Sequence, residues 1–412
     1  MIKYFAVAIT CLTLASCSNF LSLREELEEA KTNLGRIEGK VVSPTCPDCP
    51  VIIVALGEKG ERSVHSYRVY EKTGPFQMVT FGGSRYLFAF NDLNNDFEHQ
   101  TNEPSNLLRL PDDFGAGKRV GNIELLLQPS TGAQKEQAFG NLFDLRGMTL
   151  GTIDVQLGKI ADLDDARFDP DLAGLGMWQP LRFMKEGYAG IYFLKPFDQK
   201  KIPVLFVHGI SGSPRDFAAL ISRLDHTHYQ TWVLYYPSGF ELNAMGDGLF
   251  GMMSELNHRY PFTQLHVVAH SMGGLVSRSY LGACVKSGHC GYLRSFTSIS
   301  TPFGGQSAAQ SGLNHAPVIM PVWRSMAPGS HFLSNLFSVP LPSAVPHHLV
   351  FGFQNNSLLG GDSGDGTITL ASQLRREAQQ QATSQRGFDE DHISVLSSDE
   401  VIEYAISLLG KN

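Results

Sequence analysis

The chain has 412 residues, 42% of them hydrophobic and 18% charged, with a formal net charge of −7. That length holds two domains and a sizeable core. The acidic balance and the lack of a basic cluster exclude nucleic acid as a partner and exclude an electrostatic hold on anionic lipid.

Residues 1–16 read as a signal peptide. Lys3 gives a positive start, and the apolar run Tyr4 to Leu14 is too short to span a bilayer. The run closes in Leu14-Ala15-Ser16-Cys17, which resembles a bacterial lipobox. The resemblance implies cleavage before Cys17 and lipid on its sulfur. Ser18 follows where Asp would retain the protein, which implies anchoring to the outer membrane of a Gram-negative cell. No later segment is long and apolar enough to be transmembrane. Residues 17–35 read as a short polar helix or tether around Arg24-Glu25-Glu26-Leu27-Glu28-Glu29, ended by Gly35.

From about 36 to 130 the pattern changes to short strands, among them Val51–Leu56, Tyr86–Phe90 and Ile123–Leu127. Their spacing predicts a small β-sandwich with no evident nucleophile, a spacer or a binding module. Within it Asp92, Asn94, Asp96 and Glu103 match the offsets of a calcium loop, but Phe97 stands where that loop needs glycine. An ordinary Asp/Asn-rich turn is the competing reading. Apart from Cys11 and Cys17, four cysteines form two local pairs, Cys46/Cys49 and Cys284/Cys290. In an oxidising compartment these read as disulfides. Residues 131–186 read as a connecting region with a solvated acidic run, Asp162 to Asp171.

Residues 187–412 alternate strand and helix, which predicts a mostly parallel sheet with helices on both faces. Its centre is Leu265-His266-Val267-Val268-Ala269-His270-Ser271-Met272-Gly273-Gly274. An apolar strand runs into a serine flanked two positions either side by small residues, and a helix pattern follows. A sharp strand-to-helix turn needs Ala269 and Gly273 to be small, and it lifts the Ser271 hydroxyl out of the sheet. A serine nucleophile needs a base, and the base needs an acid. Asp365, in Gly364-Asp365-Gly366-Thr367-Ile368, lies beyond a strand-like run over 348–353, and Asp362 is the fallback. His392 follows the acid and precedes the closing helix; no other histidine comes later. Asp389, Glu390 and Asp391 read as a solvated charge run. Ile202–Val207 and His208-Gly209-Ile210 read as a strand and an oxyanion loop, with the N–H groups of Ile210 and Met272 as donors. His208 reads as a loop-packing residue. The apolar, Gly/Pro/Ser-rich stretch 305–345 sits where a cap is inserted. It either lines an acyl pocket or is packed helix and loop.

These motifs fall in the order Phe206-Val207-His208-Gly209, Ala269-His270-Ser271-Met272-Gly273-Gly274, Ser300-Thr301-Pro302-Phe303-Gly304-Gly305, Asp365, His392. The chain thereby resembles the α/β-hydrolase superfamily, in its lipase and esterase branch that includes GPI inositol-deacylase-like proteins, over about half its length. Ala269 departs from the glycine usual there. The resemblance implies an α/β-hydrolase fold behind a small β-sandwich-like domain. It also implies an esterase using Ser271, His392 and Asp365 without metal or cofactor, with an ester or lipid as substrate. An acyltransferase would use the same residues, and a catalytically silent surface-binding lipoprotein is the third reading.

Overall fold

An eight-stranded sheet organises the larger half of the chain. The structure is a computed structural model and describes residues 18–32, 34–57, 64–81, 83–114, 117–129, 155–288, 291–354 and 363–410. In chain order the sheet strands are β8 (Gln156–Ile160), β9 (Gly190–Phe193), β10 (Ile202–Val207), β11 (Tyr229–Tyr235), β12 (Leu265–His270), β13 (Leu293–Ile299), β14 (His347–Phe353) and β15 (Ala382–Asp389). Across the sheet they lie in the order β15-β14-β13-β12-β10-β11-β9-β8. The six strands from β11 to β15 are mutually parallel; β9 runs antiparallel to β11, and β8 runs parallel to β9.

The central strands are apolar runs because helices cover both faces. β12 (LHVVAH) is buried at every position. One face packs Leu205, Val207, Trp232, Val267 and Ala269 against the helices Leu242–Arg259 and Met272–Ser287. The other packs Val204, Phe206, Val233 and Val268 against Phe217, Leu220 and the closing helix Asp399–Leu409. Between β10 and β12 the connections leave in opposite directions, so the carboxyl ends of these two strands border a crevice.

The sheet starts earlier than the sequence pattern indicates. β8 and the helices Pro170–Trp178 and Pro180–Lys185 lie in the stretch read as a connection. In its acidic run, Asp165 caps a helical turn and Asp169 pairs with Arg215.

The amino-terminal half forms two sheets, β4-β1-β7 and β3-β2-β5-β6, from β1 (Leu34–Val42), β2 (Val51–Leu56), β3 (Val64–Tyr70), β4 (Gly74–Phe81), β5 (Tyr86–Asn91), β6 (Ser105–Arg109) and β7 (Arg119–Leu126). Ile37, Val41, Phe76, Met78 and Leu125 of one sheet meet Val51, Ile53, Ala55, Leu87 and Ala89 of the other. β2 is buried on both faces. Its outward residues Ile52, Val54 and Leu56 join Val64, Tyr67, Phe90 and Phe97 in a second cluster. Around that cluster the module meets the helix Leu242–Arg259. The Tyr67 hydroxyl donates to Glu255 at 2.6 Å and accepts from Arg259 at 2.9 Å, and His258 meets Asp92 at 2.9 Å. This sheet therefore packs apolar residues on both sides.

The calcium-like loop is tied down by its own main chain. Asp92 accepts from the N–H groups of Asp96 and Phe97, and Glu103 from those of Leu93 and Gln100. Among the described residues no group of three or more His, Cys, Asp or Glu side chains is arranged to hold a metal ion. Cys46 and Cys49 form a disulfide. Cys284 is disulfide-bonded, and Cys290 lies outside the described residues.

Candidate active site

The turn after β12 holds Ser271 at φ 52° and ψ −130°, a left-handed conformation disfavoured for a residue with a Cβ. Packing enforces it. A Cβ on Gly273 would stand 2.2 Å from the Val207 carbonyl oxygen, and one on Gly274 1.9 Å from Thr301 Oγ1. The Ser271 N–H donates to Ile299 O at 2.9 Å. The hydroxyl thus stands at the N-terminus of the helix Met272–Ser287, where main-chain N–H groups lack intrahelical partners.

The structure brings the three sequence-predicted side chains together. His392 Nε2 is 2.9 Å from Ser271 Oγ, and His392 Nδ1 is 2.7 Å from Asp365 Oδ2. The carboxylate only accepts, so Nδ1 carries the hydrogen and Nε2 is left to accept the serine proton. Asp365 is buried and also accepts from the N–H groups of Ile368 (2.7 Å) and Thr367 (3.0 Å). Burial pushes its pKa up, but the His392 bond and charge and the two backbone donors outweigh burial, so the net shift is downward. Asp365 also accepts the His392 N–H on its own carbonyl at 2.9 Å. Asp362 lies outside the described residues.

The loop after β10 lies against the serine. A Cβ on Gly209 would be 3.4 Å from Ser271 Oγ. The Gly209 carbonyl accepts from His208 Nδ1 at 2.8 Å and from the Gly212 N–H at 3.2 Å. In a trans peptide the next N–H points opposite to that carbonyl, so these bonds fix the direction of the Ile210 N–H. Among the described residues neither Ile210 N nor Met272 N has a hydrogen-bond acceptor. His208 is fully buried, stacked on Tyr236 at 4.4 Å, and burial pushes its pKa down to about 4. It braces the loop as a neutral ring.

Sequence reasoning passed over His270. Its Nε2 donates to the His392 carbonyl at 2.8 Å, and the two rings are 4.8 Å apart. Burial, with His392 adding to it, pushes its pKa down to about 3. Both main-chain groups of His392 are therefore held, the N–H by Asp365 and the carbonyl by His270. The signal was in the motif, since His270 is the residue before the serine. Gln373 was missed as well; it is buried and clasps Gly352 N–H, Gly352 O and Ile368 O, bracing the acid loop. No sequence signal marks it.

The stretch 305–345 folds as short helices, Ser307–His315, Pro321–Met326 and His331–Asn335. Met320, Val322, Met326, Leu333 and Phe337 are buried in the main core.

The strand order, the serine turn after β12, the acid after β14 and the histidine after β15 define the architecture. The chain has the α/β-hydrolase fold. Residues 243–407 match the family described as alpha/beta hydrolase of unknown function (DUF915). No curated protein matches the chain in sequence. Among solved structures the chain is similar to Bacillus licheniformis lipase BlEst2 in its mature form, with 17% identity over 53% of this chain and 97% of that one and a TM-score of 0.43. It is similar to Aspergillus fumigatus lipase B at 16% identity, over 54% of this chain and 56% of that one, TM-score 0.42. A carboxylesterase of Nitrososphaera gargenis is similar at 14% identity, over 53% and 93%, TM-score 0.34.

Proposed function

We propose that this hydrolase is a membrane-anchored serine esterase that cleaves carboxylic esters through an acyl-enzyme. The observation that carries the reading is the unbroken chain Ser271 Oγ–His392–Asp365, with bonds of 2.9 and 2.7 Å, on a serine held at a left-handed φ. Ser271 Oγ attacks the ester carbonyl while His392 Nε2 takes its proton. The resulting imidazolium is stabilised by Asp365, whose lowered pKa keeps it ionised at neutral pH. The N–H groups of Met272 and Ile210 donate to the oxyanion. His392 returns the proton to the leaving alcohol, then activates water to release the acid.

Cys17, which lies outside the described residues, is the proposed site of lipidation, with the outer membrane as location. No described helix is long and apolar enough to cross a membrane. A fluorophosphonate probe tests the chemistry. It is expected to label the wild type on Ser271 and to leave Ser271→Ala unlabelled. Equal labelling of both proteins would overturn the assignment. A p-nitrophenyl ester series then ranks acyl lengths.

A further inference from the structure

The loop that carries the Ile210 N–H holds a strained serine of its own. Residues 209–212 form a turn closed by the Gly212 N–H on the Gly209 carbonyl at 3.2 Å. Its second central residue, Ser211, sits at φ 51°, whereas Ile210 keeps a negative φ. This is the type II pattern, which asks for glycine where Ser211 stands. The commoner type I turn has negative φ at both central residues and suits serine. The two differ by a reversal of the peptide between Ile210 and Ser211, so something must hold that peptide.

Two side chains from outside the loop reach Ser211. Its N–H donates to Ser238 Oγ at 3.1 Å, and its hydroxyl donates to Met177 Sδ. Only the first of these fixes the main chain, because the Ser211 hydroxyl is exposed and turns about its own side-chain torsion. A reversed peptide would present the Ile210 carbonyl to Ser238 in place of the N–H.

Ser238 is a fixed point. It is buried, and the next residue is locked on both sides. The Gly239 N–H donates to Gly176 O at 3.1 Å, and its carbonyl accepts from the Val322 N–H at 3.2 Å. A Cβ on Gly239 would stand 2.1 Å from Met177 O. The helix Pro170–Trp178, which carries Gly176 and Met177, is held in turn by the helix over residues 18–32. Phe20 meets Trp178 edge-on at 5.3 Å, Leu23 is buried in the core, and the Glu26 carboxylate accepts from the N–H groups of Leu181 and Arg182.

We propose that Ser238 is a positioning residue for the oxyanion hole: it holds the 209–212 turn in the strained form that presents the Ile210 N–H to the oxyanion. This rests on the esterase reading and adds the group that keeps the hole assembled before substrate arrives. Within the described residues Ser238 Oγ makes no other hydrogen bond, so its removal reads this one.

The test measures p-nitrophenyl butyrate turnover and inhibition by an alkyl trifluoromethyl ketone. Ser271 Oγ adds to the ketone carbon and His392 takes its proton, which leaves an oxyanion in the hole. Ser238→Ala removes the acceptor, and Ser238→Cys replaces it with a weak one of similar shape. Each is expected to lower kcat about tenfold with KM unchanged, and to raise Ki for the ketone by about the same factor. Ser211→Gly added to Ser238→Ala is expected to regain most of the loss, since glycine takes the left-handed conformation without a clash. Circular dichroism checks the fold, and the Cys variant decides where the Ala variant is unfolded. A folded variant within about twofold of wild type in kcat and Ki overturns the proposal. So does a loss confined to KM, or one that Ser211→Gly leaves unrepaired. A wild type that turns over no ester and takes no fluorophosphonate label overturns the esterase reading and this one with it.

Discussion

Replacing His270 isolates one bond that joins the serine turn to the histidine loop. In His270→Phe the ring volume stays and the donor to the His392 carbonyl is lost. A neutral hydrogen bond contributes about 1 kcal/mol net, and a carbonyl left without its partner in a half-buried place raises the cost toward about 2 kcal/mol. The cost falls on the orientation of the base, and about 1.4 kcal/mol is a factor of ten in rate. The expected result is a kcat about tenfold lower on p-nitrophenyl butyrate with KM unchanged. His270→Gln restores an N–H at the end of a side chain of similar reach and is expected to regain most of the loss. Because burial holds His270 neutral down to about pH 3, the deficit is expected to be the same at any pH above about 4. Steady-state kinetics across pH on the three proteins decide the matter. A Phe variant within about twofold of wild type, or a Gln variant no better than Phe, would refute the bond's role.

Three further outcomes follow from the geometry. Asp365→Asn keeps the shape of the acid but favours the wrong imidazole tautomer, so kcat is expected to fall on the order of a thousandfold or more with the fold intact by circular dichroism. Gly273→Val puts a branched side chain where even a Cβ would meet the Val207 and His208 carbonyls at 2.2 and 2.4 Å, so a sharply lowered Tm or loss of soluble protein is expected; a wild-type Tm would contradict the packing. His208, His266, His270 and His347 are buried with pKa values pushed down to about 4, 4, 3 and 3, so they stay neutral in the fold while the unfolded chain protonates them near about 6.5. Unfolding then takes up protons, so their contribution is complete above about pH 6.5 and Tm is expected to fall as pH drops from there; a flat Tm down to about pH 5 would exclude it.

What the sequence made legible follows from how strongly each position is constrained by local physics. The serine turn was readable because one short stretch carries strand, strained residue, two obligatory glycines and helix start; at Gly273 and Gly274 the structure leaves no room for a Cβ. β10 and β12 were readable because burial on both faces makes them largely apolar runs, whereas β13 (LRSFTSI) also buries Ser295, Thr297 and Ser298. β15 was not: its ATSQRGFD sequence buries only Phe388 outright at the edge of the sheet, so no apolar period marks it. β8 (QLGKI) has no fully buried position and passed for connection, and β9, with only four residues, is too short to leave a pattern of its own. The helix 18–32 reads as polar because its docking depends on Leu23, one carboxylate on backbone N–H groups and one aromatic edge. Contacts of that kind lie between elements far apart in the chain and leave no periodic trace.

His270 and His208 show the same division inside the site. As letters they are unremarkable histidines beside a serine and a glycine. Their roles arise when β10 and β12 lie side by side and the loop after β15 crosses above them. His208 then aims a peptide, and His270 holds a carbonyl, each with a ring that burial keeps neutral and each through an N–H. A charged ring at His270 would stand 4.8 Å from the His392 ring and oppose the imidazolium proposed to form there. Neutrality is therefore part of what His270 supplies, and it comes from the packing of residues distant in sequence. The triad can be read from residue order, but the supports that orient it require the fold.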